Sequence, residues 1–530
     1  MASEFGVLAI VPPLLAIGLA ILTRKAVLSL FLGIWSGAVI YTGGLGIVQT
    51  FDWIVAAVAG EFHVRILVFT LLLGSGVAMI WNLGGSYAVR DWAIAKLDTQ
   101  RKAGAVAWLL GVVLFFDDYA NTAIVGSAMK DVSDHLRISR EKLSYIVDST
   151  AAPVATLGIS SWVAFQLSLI SDGYAAAGVA DHPPAFEVFL NSIPFNMYSI
   201  LAIVMVAIIV FSGRDYGEML DAEHRSRTTG QVSRESARPM QDVQADLGEP
   251  STKNPRLINF FGPIAVLIVV TLASALWTGY SPGASLMDMV TEADFASALI
   301  YGSFAMVLTG FVLGKVYGIL SLGEATDTTI EGFGLMLTAV SILVLAWGIG
   351  EVVGALGTGE YVAGVVGDSF PVAVLPALVL VLAAFIAFST GSSWGTMGIL
   401  TPIVIPVAWN LAGDHTIIAA MVGVIFSGAI FGDHSSPISD TTVLSSTFTG
   451  ADLIDHVRTQ LYYALTVGIV AALLLLVWGL TRISPIALLV VGAGLLVGIV
   501  YGLSEFDANR KGIDPAFVDA PQESSEPSDD

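Results

Sequence analysis

Six carboxylates stand inside apolar stretches of this chain: Asp117, Asp118, Asp148, Glu351, Asp433 and Asp440, with His434 beside Asp433. An ionised side chain at the centre of a bilayer costs roughly 3 kcal/mol or more, so such residues normally carry function. No Lys or Arg falls in the same stretches. The acids must therefore be protonated, bind cations, or both. Asp117 and Asp118 are neighbours, and two close carboxylates resist joint ionisation, so a proton or a cation should sit between them. Oxygen ligands for a hard cation such as sodium are at hand. Asn121, Ser149, Thr150, Ser389, Ser393, Ser435, Ser439, Thr441 and Thr442 supply an amide and hydroxyls, and Pro153, Gly391, Gly432 and Pro437 break helices and free backbone carbonyls. Asp117, Asp148 and Asp433 form the expected core for sodium and protons. Asp118, Asn121, Ser149, Thr150, Ser389, Ser393, His434, Ser435 and Asp440 are expected around them.

The elements that hold these residues follow from hydropathy. The chain is 55% hydrophobic and 13% charged, with a mean hydropathy of +0.79. A soluble domain carries about 25% charge. Apolar runs of bilayer length recur throughout. In the first half they are Phe5–Leu22, Ala26–Thr42, Val64–Leu83, Ala103–Met129, Leu143–Ile170 and Ile193–Ser212. In the second half they are Leu257–Thr278, Phe295–Lys315, Phe333–Val353, Pro371–Leu411, Thr416–Thr449, Gln460–Leu480 and Pro485–Leu503. An all-α polytopic membrane protein follows, with the bilayer as its solvent.

Lys and Arg set the orientation. Arg24, Lys25, Arg90, Lys96, Arg101 and Lys102 lie between early spans, Lys130–Lys142 is basic, and seven more cations fall in Gly213–Arg256. The loops Gly43–His63, Ser171–Ser192, Gly279–Asp294 and Gly354–Phe370 hold none. The amino terminus is expected outside and the carboxyl terminus in the cytoplasm of a cell-membrane protein. Ala103–Met129 is basic at both flanks, so it should enter and leave on one side as a re-entrant hairpin turning near Phe115–Thr122. Pro371–Leu411 has Lys-free flanks and should be its counterpart, turning near Phe388–Thr396. Removing two hairpins from the thirteen runs leaves about eleven full spans.

The halves also match each other. Phe116–Asn121 aligns with Phe388–Ser393, Gly84–Tyr87 with Thr358–Tyr361, and Asp148–Pro153 with Asp433–Pro437, in the same order. Opposite starting sides make the repeat inverted, a transporter plan with its site at the repeat interface. The expected organisation is a first repeat over 1–212 with its hairpin near 103–129, and a disordered cytoplasmic linker over 213–256. A second repeat with an extra helix follows over 257–503, its hairpin near 371–411, and then an acidic tail over 504–530. Lys130–Lys142 and Ser321–Gly332 read as amphipathic segments along the cytoplasmic interface.

Several classes are excluded. With no cysteine there is no disulfide or thiol chemistry. No G-x-x-x-x-G-K-[ST] or H-E-x-x-H run is present, which argues against an ATP-driven pump and a hydrolase. A net charge of −21 without a basic patch argues against nucleic acid. Met1–Glu4 lacks the basic residues of a signal peptide. The acidic tail fits a salt-rich habitat or an ordinary solvated tail equally well.

FFDDYANTAIVG, REKLSYIVDSTAAPVATLGISSW, FSTGSSWGTMGILTPIVIP and GDHSSPISDTTVLSS resemble the NhaC family of sodium/proton antiporters, within the wider ion-transporter superfamily. The resemblance covers nearly all of both halves. It implies inverted repeats, paired re-entrant hairpins, a scaffold that dimerises and an elevator-like transport domain. Ala120–Thr122 resembles that superfamily's Ser-Asn-Thr hairpin tip, whereas Ser392–Thr396 departs from the pattern. The expected function is secondary active exchange of sodium for protons, without a cofactor, in a homodimer. The alternative is sodium- or proton-coupled transport of an organic acid or amino acid.

Overall fold

The computed structural model describes residues 5–514 except 24, 116, 159, 238–254, 284–288, 290–292, 359–360, 362–370 and 438. The described residues form helices and no strand, as expected where lipid leaves every backbone amide to find its partner within the chain. In the first half these are α1 (Val11–Thr23), α2 (Ala26–Thr42), α3 (Ile47–Ala59), α4 (Glu61–Asn82), α5 (Gly85–Lys96), α6 (Gln100–Val113), α7 (Asp118–His135), α8 (Arg140–Ala155), α9 (Ser161–Ala176), α10 (Ala185–Ser192) and α11 (Met197–Ser212). α12 (Glu218–Thr229) follows. The second half has α13 (Leu257–Thr278), α14 (Phe295–Val316), α15 (Leu322–Leu335), α16 (Leu337–Leu356), α17 (Leu375–Thr390), α18 (Ser393–Ala412), α19 (His415–Ser435), α20 (Asp440–Thr449), α21 (Leu453–Thr481) and α22 (Pro485–Lys511).

Four helix breaks position the chemistry. α6 gives way to α7 at residues 114–117, where the FFDD motif lies. α8 ends just beyond Pro153, whose ring cannot donate to the helix ladder. Ser160 then restarts the chain by accepting the Val163 N–H onto its hydroxyl, capping α9. α17 stops at Gly391, which adopts a left-handed φ of 65° that only glycine takes readily, and Ser392 caps α18. α19 ends at Ser435 and Ser439 caps α20. Broken helix pairs thus recur in the same order in each half. The runs Leu143–Ile170 and Thr416–Thr449, read as single spans, are each two helices.

α19 is held close to α17 by small residues: a Cβ on Gly428 or Gly432 would lie 2.5 Å from Ala383 or Ala387 Cβ. α4 packs on α14 and α15, while α9 packs on α16 and α18. Among the described residues seven helices are long and apolar enough to cross a membrane, or nine if each of two bent pairs is one span.

Two segments differ from the sequence reading. The loop Gly43–His63 contains α3, set at 119° to α2, with Thr50, Trp53 and Ala57 buried on one face. The linker, expected to be disordered, begins with folded chain. α12 buries Met219, Leu220 and Glu223. Lys142 Nζ lies 2.7 Å from Asp215 Oδ2 and 3.5 Å from Glu223 Oε2, all nearly solvent-free. Tyr463 OH donates to Asp215 Oδ1 at 2.8 Å, and Glu223 Oε1 accepts the Ser139 N–H at 2.8 Å. The polar composition concealed order because these charges pair with each other instead of water. Residues 238–254 of the linker and 515–530 of the tail lie outside the described residues. Residues 504–511 continue α22.

This buried joint generates a stability prediction. Removing one partner of a buried ion pair costs about 3–5 kcal/mol. Lys142→Met should lower the melting temperature in detergent markedly, whereas Lys102→Met, which breaks an exposed pair with Asp98, should leave it unchanged. Equal melting temperatures for the two variants would refute the structural role of the joint.

Candidate functional site

The beginning of α20 binds three buried carboxylates from three other elements. Ser439, its capping residue, donates to Asp433 Oδ1 at 2.8 Å. Thr441 donates to Asp118 Oδ2 at 3.1 Å. Thr442 Oγ1 lies 3.3 Å from Asp148 Oδ2, and Ser445 Oγ lies 3.2 Å from Asp148 Oδ1. The sequence Ser-Asp-Thr-Thr-x-x-Ser over 439–445 produces this arrangement directly. Thr441 and Ser445 share a helix face at i, i+4, Thr442 is turned by about 100°, and Ser439 sits at the end.

Asp148 has further donors on α21. Gln460 Nε2 is 2.7 Å and His456 Nε2 3.2 Å from Asp148 Oδ2. Gln460 and His456 thus offer N–H groups to Asp148, while the Thr442 and Ser445 hydroxyls, each with one hydrogen, also face the Asp433 carbonyl at 3.3 Å and the Thr441 carbonyl at 2.8 Å respectively. Gln460 Nε2 also meets the His434 carbonyl. Both partners can only accept, which fixes the amide orientation. His434 bridges Ser149 Oγ and Tyr198 OH, each at 2.7 Å, and its Nε2 is 4.0 Å from Asp148. Ser149 and His434 hold equivalent places in the aligned Asp148 and Asp433 motifs, so the two motifs touch at matching positions. Around Asp148, hydroxyls, the Gln460 amide and the His456 imidazole stand where a Lys or Arg would otherwise be expected.

Asp118 is the first residue of α7 and also accepts from Trp162 Nε1 at 2.9 Å. Trp162 lies in the first turn of α9, and its ring is 5.7 Å from that of Trp394 in the first turn of α18. Helix amino termini carry partial positive charge. Asp118 stands at that of α7 and meets that of α20 through Thr441, in place of a Lys or Arg.

The other expected residues divide. Asn121 is a clip: its Nδ2 donates to the carbonyls of Gly111 at 2.7 Å and Thr150 at 2.8 Å, tying α6 to α8. Thr150 contributes that carbonyl. Its hydroxyl bonds Ile146 O at 2.7 Å in its own helix, so it is not a ligand in this arrangement. Asp117 is buried, and its carbonyl accepts the Asn121 N–H at 3.1 Å. Ser393 and Ser435 are buried. The side chains of Ser389 and Asp440 lie outside the described residues. Glu351 is exposed on α16, near His63 and Asp172 instead of this cluster. Sequence reasoning missed His456, Gln460, Trp162 and Tyr198. The i, i+4 pair His456/Gln460 heading an apolar run was a legible signal, lost because the span was started at Gln460.

Among the described residues no three of His, Asp and Glu gather as a metal cage. Asn121 Oδ1, Ser435 Oγ and Gln460 Oε1 are buried without a hydrogen-bond partner among the described residues. Oxygens of this kind are the ligands a hard cation takes.

Fold and site together define a multi-pass membrane transporter with a buried acid cluster. The Na+/H+ antiporter family matches residues 154–480. An uncharacterized protein of Haemophilus influenzae is 33% identical over 511 residues, covering 94% of this chain and 95% of its own. The chain belongs to the Na+/H+ antiporter family. An uncharacterized Na+/H+ antiporter of the same organism is 29% identical over 231 residues, 43% of this chain and 44% of that protein. The crystal structure of the Alcanivorax borkumensis YdaH transporter shares the fold with a TM-score of 0.56 at 18% identity, covering 82% of this chain and 88% of that one.

The hydroxyl geometry separates two threonines of the same motif set. A hydrogen bond to a charged group contributes about 1.5–3 kcal/mol. Thr442→Val should cut sodium-dependent proton flux in proteoliposomes roughly tenfold or more. Thr150→Val, which loses only a bond within its own helix, should keep flux within about threefold. The reverse order would refute the assignment.

Proposed function

We propose that this chain is a secondary active antiporter that exports sodium in exchange for protons, both competing for the carboxylates gathered at α20. The observation that carries this reading is three buried acids, Asp118, Asp148 and Asp433, joined to one helix by hydroxyls and lying among buried oxygens without partners. A serine or threonine hydroxyl both donates and accepts. It donates to an ionised carboxylate, and it turns its lone pair to a sodium ion or to a protonated acid. The same shell thus serves loaded, protonated and empty states without moving the backbone. Asp117, adjacent to Asp118, adds a further buried carboxylate.

Alternating access follows from an inverted repeat, in which the helix pairs α6–α7 and α17–α18 act as re-entrant hairpins. They move with α8–α9 and α19–α20 as an elevator against a scaffold containing α4 and α13–α16. Two copies pair through that scaffold in the cell membrane, with the amino terminus outside and the carboxyl terminus in the cytoplasm. Proton entry down its gradient drives sodium out and returns protons to the cytoplasm, a contribution to pH homeostasis. The second reading is exchange of an organic anion coupled to these cations. The amino termini of α7 and α20 at Asp118 favour it, since they would suit an anionic group.

The test is sodium-dependent collapse of a preset pH gradient in proteoliposomes. Wild type should respond, and Asp148→Asn and Asp433→Asn should be reduced at least about a hundredfold, as for loss of a buried charged partner. A wild type that ignores sodium overturns sodium exchange and turns the search to organic acids and amino acids.

A further inference from the structure

A second titratable cluster stands apart from α20. His63, at the start of α4, places Nδ1 2.6 Å from the Ala57 carbonyl of α3 and Nε2 3.3 Å from Asp172 Oδ2 of α9. Its ring stacks on Trp347 of α16 with centroids 4.0 Å apart and planes within 10°. Trp347 is fixed in turn by its Nε1 donating to Ser168 Oγ of α9 at 2.7 Å. Asp172 meets α16 at a small-residue contact, its Cβ 4.0 Å from where a Gly350 Cβ would stand.

The proton count of this arrangement is decisive. A carbonyl oxygen only accepts, so Nδ1 carries a hydrogen. An ionised carboxylate also only accepts, so Nε2 must carry one too, making the ring an imidazolium. The alternative is a protonated Asp172 donating to a neutral ring. Either way the pair contains one proton more than a neutral histidine beside an ionised aspartate, or beside no partner. The indole face under the ring favours the cationic form.

We propose that His63 and Asp172 form a second proton-binding site, built between α3, α4, α9 and α16. It lies on the side whose loops Gly43–His63 and Ser171–Ser192 lack Lys and Arg. The charged groups facing it are Asp172 from α9 and Glu351 from α16. From α3 the Ala57 carbonyl meets Nδ1. On α4 itself, Arg65 is engaged with Glu61 and with Asp294 of α14. Trp162, which touches Asp118, is ten residues before Asp172 on α9, or about 15 Å along the helix axis. The pair is therefore separate from the acid cluster.

The test is 15N NMR of histidine-labelled protein in lipid nanodiscs, with the His63 signal assigned by its loss in His63→Gln. Infrared spectra of wild type and Asp172→Asn accompany it. The expected result is a ring that stays protonated on both nitrogens above the free histidine midpoint of about 6.5 and loses that second proton at lower pH in Asp172→Asn. A neutral ring with a carboxylic acid band lost in Asp172→Asn supports the same site with the proton on its other partner. A neutral ring without such a band overturns the proposal. Should Asp172→Asn fail to fold, Asp172→Glu keeps the carboxyl and must keep the proton. The titration requires no transport, so its failure is distinct from failure of the sodium-exchange reading.

Discussion

The structure depends on how a carboxylate is kept inside a membrane protein without a basic partner. The beginning of α20 solves it by spacing. Ser439, Thr441, Thr442 and Ser445 deliver hydroxyls to Asp433, Asp118 and Asp148, which reach the same helix from α19, α7 and α8. Asp118 and Asp433 each sit beside a helix break, Asp148 lies about two turns before the one that ends α8, and the breaks are what make the meeting possible. An unbroken α19–α20 would carry Asp433 past the site along one straight axis, and an unbroken α6–α7 would have no amino terminus at Asp118.

The remaining contacts brace this arrangement. Asn121 ties the end of α6 to α8 through two carbonyls, so the segment carrying Asp118 and the helix carrying Asp148 are set relative to each other. His434 and Ser149 join the two motif copies, and Gln460 joins both to α21. α21 in turn reaches Asp215 through Tyr463, and Asp215 is held by Lys142, six residues before Asp148 on α8. The acid cluster and the folded start of the linker are thus two ends of the same pair of helices.

The buried acids were legible in the sequence because their cost in lipid is high, and the breaks because proline and glycine interrupt helices wherever they stand. Three things were hidden. The hydroxyls could be collected but not sorted: Thr150 and Thr442 look alike in composition, and only the fold shows one bonding its own helix and the other an acid. His456 and Gln460 were masked by their place at the boundary between polar and apolar sequence. The order of 213–229 was hidden because composition reports charges, while burial depends on whether they pair, as Lys142 does with Asp215 and Glu223.

That last contrast bears on exchange. Lys142 and its two acids form a joint with a fixed counter-charge, buried and nearly solvent-free. A cation entering such a site would meet the ammonium already there, and its attraction to the acids would be offset by repulsion at similar range. The cluster on α20 has hydroxyls, an amide, two imidazoles and helix amino termini instead. These satisfy an ionised carboxylate by hydrogen bonds and partial charges while leaving its net negative charge uncancelled. Burial then makes that charge unstable enough to attract a proton or a metal cation, and the hydroxyls keep it from being so unstable that only the neutral acid survives. For the proposed sodium–proton exchange this intermediate condition is the requirement, and a single Lys placed within reach of Asp118 or Asp148 would turn the site into another static joint.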